Sequence, residues 1–131
     1  MEIAVKQEQG KVPVTVLQLK GDLTAEEPLR SQVEAAHKAG TRHLLLDLTH
    51  VQYISSAGLR ALHHTYTLLR EQGAAAQTDA IPRGILAGTY HSPHLKLLKP
   101  SKNALKALSV AGFDMFLEIH DDYKKALASF A

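Results

Sequence analysis

The chain has 131 residues, of which 45% are apolar and 21% charged. That is enough for one compact domain with a real core, in the proportions of an ordinary soluble globular protein. A formal charge of +2, with four Tyr, three Phe and no Trp, supplies no basic patch interleaved with aromatics, so no nucleic-acid interface is expected. The absence of Cys excludes disulfides, thiol catalysis and cysteine-bound zinc.

The amino-terminal residues Met1-Glu2-Ile3-Ala4-Val5-Lys6 lack a basic region followed by a long apolar stretch, and no apolar run reaches membrane-spanning length. The expectation is a cytoplasmic domain with no membrane segment. Residues 3–6 and 12–20 read as two strands joined by a turn at Gln9-Gly10-Lys11. Val14, Val16, Leu17 and Leu19 predict that the second is buried on both faces. Gly21 ends it. Thr24 followed by Glu27 has the spacing of a capping box, with Pro28 in the first turn. Leu29, Val33 and Ala36 then repeat at helical intervals until Gly40.

Residues 43–48 form the next expected strand, and residues 56 to about 72 the next helix. From 73 to 93 the periodicity fails: Gly73, Pro82, Gly84, Gly88 and Pro93 punctuate the segment, which reads as an insertion loop. Regular structure resumes at 94–98. Pro100-Ser101 opens a helix carrying Ala104, Leu105, Leu108 and Ala111, which Gly112 terminates. Residues 116–119 predict a last strand, and Asp121 or Asp122 caps a final helix holding Leu127 and Phe130. Strands alternating with helices after a hairpin define one α/β domain over residues 1–131, with a mixed sheet of about five strands and four helices.

The most informative stretch is Leu46-Asp47-Leu48, a short link, then Tyr53-Ile54-Ser55-Ser56-Ala57-Gly58-Leu59. A buried-looking strand leads to two serines, and Leu59, Leu62, Tyr66 and Leu69 follow on one helical face. Serine hydroxyls therefore stand at a helix amino terminus, where free N–H groups and the helix dipole favour negative charge. Two readings stay open: one serine caps the helix, or one accepts a phosphate. Arg60, one turn on, is placed to reach back toward a phosphate on Ser56.

The order of hairpin, Gly21-Asp22-Leu23-Thr24, helix, Leu46-Asp47-Leu48 and the serine stretch resembles the STAS domain of bacterial anti-sigma factor antagonists. The closing run Leu108-Ser109-Val110-Ala111-Gly112-Phe113, then Phe116-Leu117-Glu118-Ile119, is similar to that family's ending. The likeness spans nearly all of the chain outside residues 73–93. It implies a transcription regulator that binds an anti-sigma factor, itself a serine kinase, and is released when phosphorylated. In the family pattern Asp-Ser-Ser/Thr-Gly-Leu the phosphoacceptor follows an Asp. Here Ser56 matches the phosphoacceptor, Ser55 stands in the place of the Asp, and Ala57 replaces the second hydroxyl residue. Gly58 and Leu59 match. Thr24 replaces an acidic residue of the family's Gly-Glu-Leu-Asp loop, and Arg60 stands where the family has a small residue. The implied partner surface is Asp22, Leu23 and Thr24 with Ser55, Ser56, Ala57, Gly58, Leu59 and Arg60.

Other chemistry finds no support in the residues. A hydrolase elbow needs Gly two positions before the nucleophile, and Ile54 stands there for Ser56. No Gly-rich loop ends in Gly-Lys-Ser/Thr. Eight His raise the question of a metal, but the best local pair, His91 and His94, lacks a third ligand, and His63 and His64 point to different helix faces. Asp47 reads as a loop anchor. No metal, cofactor or catalysis is expected. The alternatives are a STAS scaffold that works without phosphorylation, and a small-ligand or nucleotide sensor using residues 73–93 as a lid.

Overall fold

The computed structural model describes residues 1–71, 94–115 and 117–130. Strands β1 (Glu2–Gln9) and β2 (Pro13–Lys20) form an antiparallel hairpin in unbroken register, from Glu2 opposite Lys20 to Gln9 opposite Pro13. The chain continues through α1 (Leu29–Lys38), β3 (Leu44–His50), α2 (Ser56–Glu71), β4 (Leu95–Leu98) and α3 (Lys102–Val110). A 3₁₀ turn (Phe113–Met115), β5 (Glu118–His120) and α4 (Tyr123–Ser129) complete it. The strands lie side by side in chain order, β2 to β5 parallel. Among the described residues this gives the expected mixed sheet of five strands with four α-helices.

Parallel connections that advance in one direction, each with the usual right-handed crossover, place their helices on the same face of the sheet. The packing shows this. Leu17, Leu19, Leu44, Leu46, Leu48, Leu95 and Leu97 form one face of the sheet. They meet Leu29 and Val33 of α1, Leu62, Tyr66 and Leu69 of α2, and Ala104 and Leu108 of α3. The opposite face is narrower: Val14, Val16, Leu45 and Leu98 pack against Ala126 of α4 and Phe130. Both faces of β2 and β3 are therefore covered, which explains why these segments read as continuous apolar runs.

Lys96 also lies on the α4 face and is only 3% exposed. Its Nζ donates to Glu118 Oε2 at 3.1 Å and to the Ser129 carbonyl at 3.0 Å, and stands 5.1 Å from the centroid of the Phe130 ring. A buried ammonium needs such partners to offset its desolvation. Here they also satisfy a carbonyl at the carboxyl end of α4.

Helix ends follow local chemistry. Gly40 and Gly112, at φ +109 and +82, follow α1 and α3 in the left-handed conformation that glycine adopts without a Cβ penalty. Ser101 Oγ accepts from the Ala104 amide at 3.1 Å, and Asp122 Oδ1 from the Lys125 amide at 2.9 Å. The start of α1 departs from expectation. The helix begins at Leu29 with Pro28 as its N-cap and no side-chain cap, so the capping box of Thr24 and Glu27 does not form. Leu23 is held at the sheet by a parallel bridge to Ile54, and residues 24–28 must travel from there to the helix axis. The Glu27 carboxylate instead accepts from the Ser31 hydroxyl.

Two smaller corrections concern the carboxyl-terminal half. The last strand starts at Glu118, later than expected; Phe116 lies outside the described residues. In α3 only Ala104 and Leu108 are buried, while Leu105 is 39% exposed and Ala111 is exposed. The expected insertion over residues 73–93 lies outside the described residues, and so does His91. Among the described residues, no helix is long and apolar enough to cross a membrane, and no group of three or more His, Asp or Glu is placed to hold a metal ion.

Candidate functional site

Three loops meet at the carboxyl edge of the parallel strands, the edge at which open α/β sheets commonly meet ligands and partners. The first follows β2 and contains Asp22, Leu23 and Thr24. The second follows β3 and leads into Ser55 and Ser56. The third, after β4, leads into Ser101. Backbone hydrogen bonds join the first two: Gly21 N–H to the His50 carbonyl at 3.2 Å, Leu23 N–H to the Tyr53 carbonyl at 2.9 Å, and Ser55 N–H to the Leu23 carbonyl at 2.9 Å. The Ser101 hydroxyl, besides capping α3, donates to the Gln52 carbonyl at 3.2 Å and so ties the third loop to the second. Asp47 lies within β3 and not in a loop as expected; its Oδ1 accepts from the Thr49 amide at 3.0 Å and the Thr49 hydroxyl at 2.5 Å, two residues on in the same strand.

Gly58 makes this junction possible. A Cβ there would sit 2.3 Å from the Leu23 carbonyl oxygen and 2.9 Å from Leu23 Cγ. Only glycine lets the first turn of α2 press on the β2 loop at this distance.

The two serines divide the roles that the sequence left open. Ser55 is the cap: its Oγ accepts from the Gly58 amide at 3.3 Å, and its carbonyl accepts the first helical bond, from Leu59 N–H at 2.9 Å. Ser56 is the first helical residue and is exposed. Its hydroxyl is therefore not spent on capping.

The remaining site residues split by burial. Asp22, Thr24 and Arg60 are exposed, Ala57 and Leu59 are half-buried, and Leu23 and Gly58 are buried. The buried pair shapes the surface without presenting side chains to it. Arg60 pairs with the segment that leads into α1: its Nε is 3.8 Å from Glu26 Oε2, an exposed contact of modest strength. Glu26 also meets Arg30 at 3.6 Å, and Arg30 meets Glu34 at 3.7 Å. Arg60 is thus part of a surface charge ladder between α1 and α2.

One part of the site was not anticipated from sequence. Beside Ser56, the start of α2 and the outer face of α3 enclose an open groove of about 620 Å³, lined by Tyr53, Ser56, Leu59, Lys106, Ala107 and Val110 among others. Tyr53 is 54% and Val110 81% exposed. Large apolar side chains this exposed and this close together mark an interaction surface. Val110 carried the available signal, since it is an apolar residue out of phase with the buried Ala104 and Leu108 of its helix.

A singly wound mixed sheet, with a serine-capped helix start and an apolar groove at its carboxyl edge, defines a small α/β binding domain of the STAS type. The chain belongs to the STAS domain family: the family model described as "Mlab, STAS domain" matches residues 7–119.

Solved structures share the fold at low identity. A Thermotoga maritima protein assigned to the anti-sigma factor antagonists is 16% identical, with 98% of this chain and 93% of that chain covered and a TM-score of 0.70. An anti-sigma factor antagonist from Mycobacterium paratuberculosis is 17% identical, with 98% and 94% covered and a TM-score of 0.68. The Bacillus cell fate determinant SpoIIAA, in its phosphorylated form, is 17% identical, with 94% and 96% covered and a TM-score of 0.59.

Proposed function

We propose that this STAS domain acts as an anti-sigma factor antagonist. It is a non-catalytic, cytoplasmic binding module of bacterial transcription control, its partner is an anti-sigma factor that is also a serine kinase, and phosphorylation of Ser56 ends the binding. The observation that carries this reading is the division of labour at the helix start: Ser55 caps α2, leaving the Ser56 hydroxyl exposed on the rim of an apolar groove. The fold likeness to anti-sigma factor antagonists, one of which has both an unphosphorylated and a phosphorylated form, supports it.

A phosphoserine adds nearly two negative charges and three acceptor oxygens. At a helix amino terminus the domain itself tolerates them, because free N–H groups and the dipole favour an anion. A partner seated on Tyr53, Leu59 and Val110 instead meets an uncompensated charge at its own apolar surface and loses affinity. The switch needs little change of shape.

A second reading is favoured by one specific feature. Ser55 occupies the place of the family's Asp, so the same surface serves as a docking site whose occupancy does not depend on phosphorylation. Incubation with an anti-sigma kinase of the same genome and ATP, followed by mass spectrometry, separates the two. The switch predicts a single phosphate that disappears in Ser56→Ala, and a Ser56→Glu variant that no longer captures the kinase. Undiminished phosphate in Ser56→Ala, or full capture by Ser56→Glu, overturns it.

A further inference from the structure

We propose that this chain self-associates through β1, pairing antiparallel with β1 of a second copy in the register that sets Ala4 opposite Ala4. The observation behind it is the outer edge of the sheet. Over its eight residues β1 pairs with β2 alone among the described residues, and it does so without a register shift. An edge strand presents a row of backbone donors and acceptors to any passing strand. Proteins blunt such edges with proline, bulges, short length or a cover. This edge has no proline, no bulge and full length. Its side chains are accessible: Glu2, Ala4, Val5, Lys6 and Gln7 are all exposed, Val5 by 50%.

The register follows from the side chains. Continuing one sheet through a two-fold axis perpendicular to it keeps the two helix-bearing faces on the same side, so odd residues must oppose odd and even oppose even. Centring on Lys6 sets two ammonium groups against each other, and centring on Val5 sets Glu2 against Glu8. Centring on Gln7 sets Lys6 against Glu8, but Glu8 already accepts from the Tyr123 hydroxyl at 2.6 Å, and Val5 then faces Gln9. Centring on Ala4 leaves the Glu8–Tyr123 hydrogen bond intact and sets unlike charges opposite each other, with the Lys6 ammonium 5.9 Å from the centroid of the Tyr123 ring on the same face. Ile3 opposes Val5 of the second copy on the helix-bearing face, where Ile3 already packs against the core. Glu2 opposes Lys6 of the second copy on the other face. Each pairing occurs twice by symmetry. The segment Glu2-Ile3-Ala4-Val5-Lys6 is thus self-complementary in both hydrophobicity and charge, and opposite charges across strands stabilise while like charges destabilise. The lone edge lysine, ordinarily a device against pairing, becomes a specificity element.

The two-fold runs the parallel strands of the copies in opposite directions. The carboxyl edges, with their Ser56 sites, then lie at opposite ends of a ten-stranded sheet, and both grooves stay open. One strand pair is small beside the roughly 800 Å² per partner of a standard interface, so the dimer dissociates on dilution.

Sedimentation velocity of the full chain, carrying any tag at its carboxyl end, from about 1 μM to about 1 mM tests this. The expected result is a shift from one chain mass to two as concentration rises. Glu2→Lys alone and Lys6→Glu alone each turn both attractive pairs into repulsive ones and weaken dimerisation at least about tenfold. Mixing the two variants restores complementary pairs and returns the dimer as a heterodimer. Circular dichroism confirms that these surface substitutions leave the fold intact. A monomer throughout the range, a dimer indifferent to either substitution, or failure of the mixed variants to pair overturns the proposal.

Discussion

Gly58 lies in the first turn of α2 and Leu23 in the loop after β2, yet a methyl group on the first would sit 2.3 Å from the carbonyl oxygen of the second. The same carbonyl accepts the Ser55 amide at 2.9 Å. Gly58→Ala therefore pushes apart the β2 loop and the start of α2. Overpacking of this kind costs about 1–3 kcal/mol, and loss of the Ser55–Leu23 hydrogen bond takes the effect to the upper end. Urea denaturation reports it as a lower midpoint. Partner capture falls as well, because the loop carrying Asp22 and Thr24 shifts.

The two serines should separate cleanly. Ser55→Ala removes the N-cap of α2 and lowers stability by about 1 kcal/mol. Ser56→Ala leaves stability within about 0.5 kcal/mol, since an exposed first-turn hydroxyl contributes little. Thermal denaturation of the two variants side by side gives the comparison. Equal losses would show that the cap is shared.

Lys96 is a buried cation, and the effect of removing its partner differs from that of removing its charge. Glu118→Ala leaves the ammonium with only the Ser129 carbonyl and the Phe130 ring. Breaking a fully buried pair costs about 3–5 kcal/mol; Glu118 is 37% exposed, so about 2 kcal/mol is expected here. Lys96→Met removes the charge and keeps the volume, and its stability stays within about 1 kcal/mol of the parent. Denaturant midpoints of both variants measure the contrast.

Stability should fall with acid in two stages. Burial, reinforced by the neighbouring His43, lowers the pKa of His94 below 6.5, against the opposing effect of a hydrogen bond to the Arg42 backbone. The unfolded chain then binds more protons than the native one below pH 6.5, so this contribution is complete above that pH and is lost on descending to the folded pKa. For Glu118, burial raises the pKa, but the hydrogen bond and charge of Lys96, joined by His120, more than offset it. The net value lies below 4.5. Its contribution is complete above that pH and disappears as the pH drops through the lowered value. Urea midpoints at about pH 7.5, 6, 5 and 4 should trace both stages, and His94→Asn should reduce the first, to which His37, lowered by burial and the Arg42 charge, also contributes, while leaving the second.

The groove residues should matter for binding and not for folding. Tyr53→Ala and Val110→Asp alter side chains that are mostly in water, so the melting temperature stays close to the parent's. Capture of the partner weakens by about 1–2 kcal/mol for Tyr53→Ala and further for Val110→Asp, which sets a carboxylate in the contact. Titration calorimetry against the purified anti-sigma kinase measures both. Unchanged affinity in both would remove the groove from the interface.

The order of elements was legible in the sequence because each depends on short-range rules. Glycines at 21, 40 and 112 stop elements, Ser101 and Asp122 cap helices, and the period of apolar residues separates strand from helix. The apolar run through β2 already announced burial on both faces, and the one through β3 read as a buried strand. What tertiary structure decided depends on residues distant along the chain. The Thr24–Glu27 capping box was locally sound but lost to the bridge that holds Leu23 beside Ile54. Which serine caps α2 followed from how the β2 loop and Gly58 seat that helix. The groove needed α3 to lie beside α2, and the burial of Lys96 needed α4 to fold back across the sheet. Local propensity and periodicity act within a few residues, whereas a site assembled from three loops exists only once packing has set their distances.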